Sequence, residues 1–127
     1  MRLRPATIED FHFLLRLRND PDTRANSNNH NIVTKAQHYQ WMADTLLNQQ
    51  RKLYIAEVDG VDVGTCRADY VANECELSWT VAPEHRNKGY GHKMVWLLKD
   101  ATKIKYKVEV LPHNTASRKI ADRLKLV

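Results

Sequence analysis

The sequence predicts an α/β layer fold in a single domain, residues 1–127, with the chain order β-α-α-β-β-β-α-β-α. Apolar residues recur at helical spacing up to about Lys52 and alternate with polar residues at strand spacing from Leu53 onward. A strand, a helix and a strand then follow one another over residues 74–111, which predicts a parallel pair joined by a right-handed crossover. The chain has 127 residues, enough for one compact domain and too few for two.

The first half of the chain is predicted to contain a short N-terminal strand and two helices. The Thr7 side chain can cap the first helix, which ends before Asp20 because a residue that precedes a proline disfavours helical geometry. Residues 19–33 are rich in asparagine and predict a long polar loop. Thr34 and Gln37 form a capping-box pattern that predicts the start of the second helix.

The second half is predicted to form most of the sheet. The Asp59-Gly60 pair is a hairpin signal between two strands. Strict alternation of apolar and polar residues predicts the strand that follows the hairpin. The predicted bounds are strands at 53–58, 61–70 and 74–81, a helix at 89–100, a strand at 104–110 and a last helix from about Asn114.

Charge is divided unevenly along the chain. Residues 1–84 carry 9 Lys and Arg against 12 Asp and Glu, whereas residues 85–127 carry 11 against 3. The last third is therefore expected to meet negative charge. No run of about 18 apolar residues is present, which excludes a membrane partner, and the N-terminus has no signal-peptide core.

The two cysteines predict neither a disulfide framework nor a metal site. Cys66 and Cys75 are too few for a framework, and no pair of histidines lies near them in the sequence. A reduced, cytoplasmic location without a metal is the resulting expectation.

The stretch from Val81 to Gly91 has the composition of an anion-binding turn. A strand leads into a short loop with two glycines, and a helix opens directly behind it. The first N–H groups of that helix have no acceptor within the helix, and the helix dipole adds positive potential there. Arg86, Lys88 and His92 add cationic character. The alternative is an ordinary strand-to-helix turn, since neither a dinucleotide fingerprint nor a P-loop is complete.

Two motifs in this region resemble those of a known family. Arg86-x-x-Gly89-x-Gly91, after a strand that ends in Val81-Ala82-Pro83, resembles the coenzyme A signature of the GCN5-related N-acetyltransferases, the GNAT superfamily. Residues 109–117 resemble the second motif of this superfamily, and residues 4–10 its usual entry. The resemblance implies a GNAT-like mixed central sheet with helices on both faces.

The resemblance also implies acetyl-CoA as co-substrate and a primary amine as acceptor. The pantetheine arm is expected along the β-strand backbone, and the pyrophosphate is expected on the backbone N–H groups of the glycine loop. The start of the last helix is expected to lie along the other flank of the cofactor. The implied cofactor-binding residues are Trp79, Thr80, Val81, Arg86, Asn87, Lys88, Gly89, Tyr90, Gly91, His92, Asn114 and Ser117.

Two carboxylates are candidates for the catalytic base. Glu109 lies five residues before Asn114, where some N-terminal-amine acetyltransferases of the superfamily place a glutamate base, and Glu76 on the preceding strand is the second candidate. Either residue can instead be a solvated or lysine-paired carboxylate. Many relatives have a tyrosine acid seven residues after the Asn, and this chain has Ala121 there.

The acceptor side is the least specific part of the resemblance. The loop at 19–33 and the helix start at His38 and Trp41 are expected to face the acceptor. An amino sugar or sugar nucleotide, or the N-terminal amine of a protein, suits these amide and cationic side chains. Relatives normally continue beyond the last helix into another strand pair. The sequence ends at Val127 without that pair, so we expect either a truncated chain or an acceptor wall supplied by a homodimer.

Two other functions remain open. A small basic nucleic-acid-binding domain would use the lysines and arginines of residues 99–125, although no aromatic platform is interleaved with them. A non-catalytic CoA-binding domain would keep the fold and lose the chemistry, in line with Ala121 and the short C-terminal region.

Overall fold

A computed structural model of the protein describes residues 1–72, 74–102, 105–108 and 114–123. Five strands and five helices are arranged as the sequence predicts, with one helix more than expected. The strands are β1 (Arg2–Pro5), β2 (Arg51–Val58), β3 (Val61–Val71), β4 (Glu74–Val81) and β5 (Lys105–Val108). The helices are α1 (Phe11–Asn19), α2 (Pro21–Ala25), α3 (Lys35–Leu47), α4 (Tyr90–Thr102) and α5 (Thr115–Arg123).

The five strands form one mixed sheet in the order β1-β2-β3-β4-β5. The first four are antiparallel neighbours, and β5 pairs with β4 in parallel from Glu74↔Lys105 to Leu77↔Val108. The predicted parallel pair is thus confirmed, with α4 as the crossover helix. The predicted hairpin is confirmed as well, since Asp59 and Gly60 both have positive φ, 51° and 80°.

Helices cover both faces of the sheet, as expected. Ala56, Cys66 and Leu77 pack on one face against Met94 and Leu98 of α4. On the opposite face, Leu53 and Ile55 pack with side chains of α1 and α3. Alternate residues of β2 thus enter different cores, which is the period-two geometry of a strand buried on both sides. The second core consists of Ala6, Leu14, Met42, Leu53 and Ile55.

The predicted loop at 19–33 is wrong for residues 21–25, which form the short helix α2. Pro21 stands at its first position, where the missing N–H costs nothing, and Asp20 caps it by accepting from the Thr23 backbone N–H at 3.1 Å. The same Asp-Pro pair therefore ends α1 and begins α2. Both predicted helix starts with a Thr cap are confirmed, except that the one after Thr7 begins as a 3₁₀ turn, Ile8–Asp10.

Within the part of the chain that the structure describes, no helix is long and apolar enough to cross a membrane. The same residues contain no cluster of three or more His, Cys, Asp or Glu side chains that could hold a metal ion.

Candidate active site

An open cleft of about 860 Å³ is bounded by the end of β4, by α2 and by the N-terminal ends of α4 and α5. The cofactor residues expected from the sequence line it, with the exception of Lys88. Those lining residues are Trp79, Thr80, Val81, Arg86, Asn87, Gly89, Tyr90, Gly91, His92, Asn114 and Ser117. Lys88 lies beside the cleft, with Nζ 6.0 Å from the ring centroid of Tyr90.

The edge of β4 offers backbone groups to the cleft. Successive residues of an antiparallel pair direct their N–H and C=O groups alternately toward and away from the partner strand. Ala82 donates its N–H to the Val63 carbonyl of β3 at 2.8 Å. Two residues earlier, Thr80 therefore also faces β3, while Trp79 and Val81 face away from it. The backbone groups of Thr80 are thus directed toward β3, and those of Trp79 and Val81 lie on the other edge of β4.

The loop between β4 and α4 leads into a helix start whose first backbone N–H groups have no acceptor within the helix. Asn87 and Gly89 have positive φ, 65° and 77°. The Lys93 N–H donates to the Gly89 carbonyl at 3.3 Å as the first bond of the α4 ladder. The N–H groups of Tyr90 to His92 precede that bond, so no carbonyl of the helix accepts from them. The result is a concave set of donors at the positive end of the helix dipole.

Gly91 brings α5 close to this loop. A Cβ at Gly91 would lie 2.8 Å from Cδ1 of Ile120, which is too close for two carbon atoms. Asn114 begins α5 by accepting, through Oδ1, from the Ser117 N–H at 3.3 Å. The small residue thus lets Ile120 in the middle of α5 pack against the start of α4, and residues of both helices line the cleft.

The half-buried side chain of Arg86 is held by three contacts within the protein. Its Nε donates to the Val81 carbonyl at 3.0 Å, while Nη1 and Nη2 contact the carboxylates of Asp22 and Asp20 at 3.2 and 3.1 Å. Burial opposes ionisation of Asp20, but hydrogen bonds from the Thr23 backbone and from Arg86 outweigh it and lower the pKa of this carboxyl. Arg86 lines the cleft, and its charge is compensated there by these two carboxylates.

A second ion pair joins the same two regions. Arg16 of α1 forms a two-point contact with Glu84, with N–O distances of 3.0 and 2.8 Å. This pair holds the pKa of Glu84 at about 2, chiefly through the hydrogen bond from Arg16. Together with the Arg86 contacts, it fixes the α1–α2 corner against the glycine loop.

A smaller cavity of about 330 Å³ lies beneath α1, α2 and α3. It shares Thr23, Ser27 and the β4 segment 78–80 with the cleft, so the two spaces meet at that point. Arg18, His38, Trp41 and Arg67 also line this cavity. Sequence reasoning missed the contribution of α2, and the signal that could have found it is the Asp-Pro start of that helix.

His38 is buried and Arg18 is half-buried, and neither forms an ion pair with a carboxylate of the described residues. His38 is 3% exposed, and burial lowers the pKa of its imidazole despite a hydrogen bond with the Phe11 backbone that raises it. Burial also lowers the pKa of Arg18, and the charge of Arg24 adds to this effect. His38 stacks against Trp41 with ring centroids 5.7 Å apart.

Of the two candidate bases, only Glu76 lies among the described residues. Glu109 lies outside the described residues. Glu76 is half-buried on β4 opposite Asp69 of β3, and it lines neither the cleft nor the cavity. Ala121 is fully buried in α5, so its position offers no acid to the cleft.

Comparisons with known proteins agree with this architecture. The family model described as an acetyltransferase (GNAT) domain matches residues 1–127. No curated protein gives a significant match.

Several solved structures have the same fold. The ribosomal-protein-alanine N-acetyltransferase from Brucella melitensis is 23% identical, with a TM-score of 0.77 over 98% of this chain and 83% of that one. The spermidine N-acetyltransferase from Vibrio cholerae, solved with CoA and spermine, is 14% identical, with a TM-score of 0.86 over 96% and 78%. The Salmonella typhimurium protein yncA, solved with its cofactor acetyl-CoA, is 23% identical, with a TM-score of 0.77 over 98% and 78%.

Proposed function

Since the chain belongs to the GNAT acetyltransferase family, we propose that it transfers the acetyl group of acetyl-CoA directly to a primary amine. The observation that carries this proposal is the cleft, in which the end of β4, unpaired on one edge among the described residues, leads to the donor-rich start of α4. Its two ends suit the two chemically different parts of the cofactor, an amide-containing arm and a pyrophosphate.

The start of α4 is the proposed pyrophosphate site. Of the expected donors from Arg86 to Gly91, the Arg86 N–H is taken by the Pro83 carbonyl at 3.4 Å. Those from Asn87 to Gly91 are the proposed pyrophosphate donors, at a helix start where the dipole favours an anion. Lys88, His92 and Lys119 supply cationic or hydrogen-bonding side chains at or beside this end of the cleft. Arg86 contributes by holding the loop in shape through the Val81 carbonyl, and its own charge is compensated by Asp20 and Asp22.

The β4 edge is the proposed site of the pantetheine arm. In the described part of the sheet, β5 pairs with β4 only as far as Leu77, and the groups of Trp79 and Val81 face that side beyond it. An amide-containing chain can add to such an edge as a further strand. Of the two backbone groups of Val81, the C=O already accepts from Arg86. We therefore assign the remaining group, the Val81 N–H, as the donor to the oxygen of the reacting carbonyl.

Transfer is proposed where the cleft meets the smaller cavity, at Ser78 to Thr80. The amine must lose a proton, and Glu109 is the first candidate to accept it, with Glu76 as the second. Glu76 lies two residues before Ser78 on the same face of β4, so a water molecule would have to bridge the gap. With Ala121 in place of a tyrosine, the thiolate leaves without an acid from that position, which its ordinary pKa of about 8.5 permits.

The acceptor is proposed to enter through the smaller cavity. An amino sugar or sugar nucleotide, or the N-terminal amine of a protein, is the acceptor class that we propose. Support for a protein amine comes from the fold shared with a ribosomal-protein-alanine N-acetyltransferase. A hydroxyl-rich acceptor is supported by the amide and cationic side chains of residues 18–30 near this cavity.

Thermal unfolding with and without acetyl-CoA tests the cofactor part of this proposal. Acetyl-CoA at about 100 times its dissociation constant is expected to stabilise the fold by roughly 2.7 kcal/mol. A CoA analogue without the pyrophosphate should give a smaller shift. No shift with acetyl-CoA, together with a salt-sensitive shift with an oligonucleotide, would favour the nucleic-acid alternative.

Thiol release against a panel of amines tests the catalytic part. The panel contains amino sugars, amino-sugar nucleotides and peptides with a free N-terminus. Glu109→Gln and Glu76→Gln are compared with Glu9→Gln, an exposed glutamate remote from both spaces. Acetyl-CoA binding without turnover on any amine would favour the non-catalytic alternative. Turnover unchanged in the first two variants would remove both base assignments and leave the cofactor site standing.

A further inference from the structure

The smaller cavity is lined by positive charge without matching negative charge. Arg18 and Arg67 line it beside the imidazole of His38, whose neutral form burial favours, and no Asp or Glu is among its described lining residues. Its volume of about 330 Å³ is at the lower end of the range for small-molecule sites. Its lining is therefore electrostatically suited to a small anion and not to a cation.

Arg18 is the residue whose charge is least compensated. Its Nη2 donates to the Asn29 carbonyl at 2.9 Å, while Nη1 is enclosed and has no hydrogen-bond partner. Within the described residues, no carboxylate forms an ion pair with it. A partly buried guanidinium with a free donor is costly, and a bound anion that accepts from that donor removes the cost.

The neighbouring residues do not supply the missing negative charge. Arg67 contacts Asp69 at 3.0 Å, but Arg51 contacts the same carboxylate at 2.7 Å, so two cations share one anion. The Arg67 guanidinium also lies over the ring of Trp41, 5.5 Å from its centroid. Nε2 of His38 is likewise enclosed without a partner. The field in the cavity is thus positive.

We propose that the acceptor is a small primary amine that also carries an anionic group, a carboxylate or a phosphate, and that Arg18 binds this group. This inference rests on the proposed function and narrows its acceptor class. The anionic group lies toward Arg18, and the amine lies toward Ser78 and Thr80, where the cavity meets the cleft. Polyamines, which carry only positive charge, are expected to be poor acceptors because Arg18 and Arg67 repel them.

Matched pairs of acceptors test the inference in the full-length protein. Tyrosine is compared with tyramine for the carboxylate, and glucosamine 6-phosphate with glucosamine for the phosphate, with spermidine as the cationic member. At least one anionic member is expected to exceed its neutral partner in kcat/KM by tenfold to a hundredfold, about the range of a charge-assisted hydrogen bond. The pair that shows the preference identifies the anionic group.

Arg18→Gln is expected to abolish that preference, mainly by raising KM for the anionic amine. Arg18→Lys, which keeps the charge and loses the fork, should retain part of it. Arg2→Gln serves as the matched control, because Arg2 is an exposed arginine of β1 that lines neither space. Since the preference is a ratio measured within one protein sample, a reduced folded fraction does not alter it.

The outcomes separate this inference from the proposed function. Acetyl transfer with equal kcat/KM for anionic and neutral partners would overturn the role of Arg18 and keep the acetyltransferase. A preference that survives in Arg18→Gln would equally overturn it. No transfer to any amine, in a protein that acetyl-CoA stabilises, would instead contradict the proposed function.

Discussion

The Nη2 atom of Arg86 lies 3.1 Å from Oδ2 of Asp20, although 66 positions separate the two residues. The same carboxylate oxygen accepts from the Thr23 N–H and so caps α2. The same arginine holds the Val81 carbonyl through Nε. One ion pair therefore connects the end of β4, the glycine loop and the helix that borders both the cleft and the smaller cavity. We expect the shape of the cofactor site and that of the acceptor site to depend on each other through this contact.

Replacing Asp20 should cost far more stability than replacing Asp22, although both contact Arg86. Asp20→Ala removes a helix cap and leaves a partly buried guanidinium short of its counter-charge, so a loss of about 2–3 kcal/mol is expected. The Asp22 side chain is 81% exposed, and Asp22→Ala should cost less than about 1 kcal/mol. Urea unfolding of both variants measures the difference. Equal losses of stability in the two variants would contradict the greater importance of Asp20 for the folded state.

The ion pair between Glu84 and Arg16 should make stability depend on acidity in a defined range. The pKa of Glu84 falls from 4.5 to about 2 in the folded protein. A carboxyl with a lowered pKa stabilises the folded state above the unfolded value, and this contribution is lost as pH falls from about 4.5 to 2. The Glu84 side chain is 48% exposed, so the contribution should not exceed about 1 kcal/mol.

Glu84→Gln provides the measurement for this pair. The variant should be less stable than the wild type at pH 7, and the difference should shrink toward zero as pH falls to about 2. The difference should also shrink in 1 M salt, which screens exposed charges over about 3 Å. A difference that stays constant with pH would contradict the role of the charge.

Substitutions of Gly89 should lower stability according to how poorly the new residue tolerates positive φ, and not according to the volume of its side chain. Its φ is +77°, and a Cβ built there would meet no atom within 4 Å. Gly89→Ala should therefore cost about 1–2 kcal/mol, whereas Gly89→Asn, which tolerates positive φ, should cost less. Because the loop donors depend on this conformation, acetyl-CoA affinity is expected to fall in the same order. Calorimetric titration checks the affinity, and an alanine variant as tight as wild type would contradict it.

Substitutions of Gly64 should instead lower stability because of the volume that a side chain adds there. A Cβ at this position of β3 would lie 2.5 Å from the Thr80 carbonyl oxygen and 3.2 Å from the Val81 Cα, both of them backbone atoms. Gly64→Ala must therefore displace the edge of β4 and should cost about 1–3 kcal/mol and weaken acetyl-CoA binding. Gly91→Ala is the comparison, because the nearest atom there is the end of the Ile120 side chain, which can move. A larger loss in Gly91→Ala would contradict this distinction.

Several features could be predicted because they depend on neighbours in the chain. The capping box of Thr34 and Gln37 and the turn at Asp59 and Gly60 are complete within a few residues, and both are confirmed. Strand alternation likewise identifies β4. The departure at α2 has a local cause as well: the Asp-Pro pair predicts the end of α1, and the same pair also starts a helix.

The order of the elements, the parallel pair of β4 and β5 and the position of the glycine loop at the start of α4 all follow from local patterns of apolar residues, caps and glycines. The partners of Arg16, Arg86 and Arg18 do not, because each cation has many carboxylates within reach of an unfolded chain. Only the packing of α1 and α2 against β4 decides that Arg86 meets Asp20, that Arg16 meets Glu84 and that Arg18 meets no carboxylate among the described residues. Local interactions determine the framework, and the desolvation and distances that exist only after packing determine the charge that lines the smaller cavity.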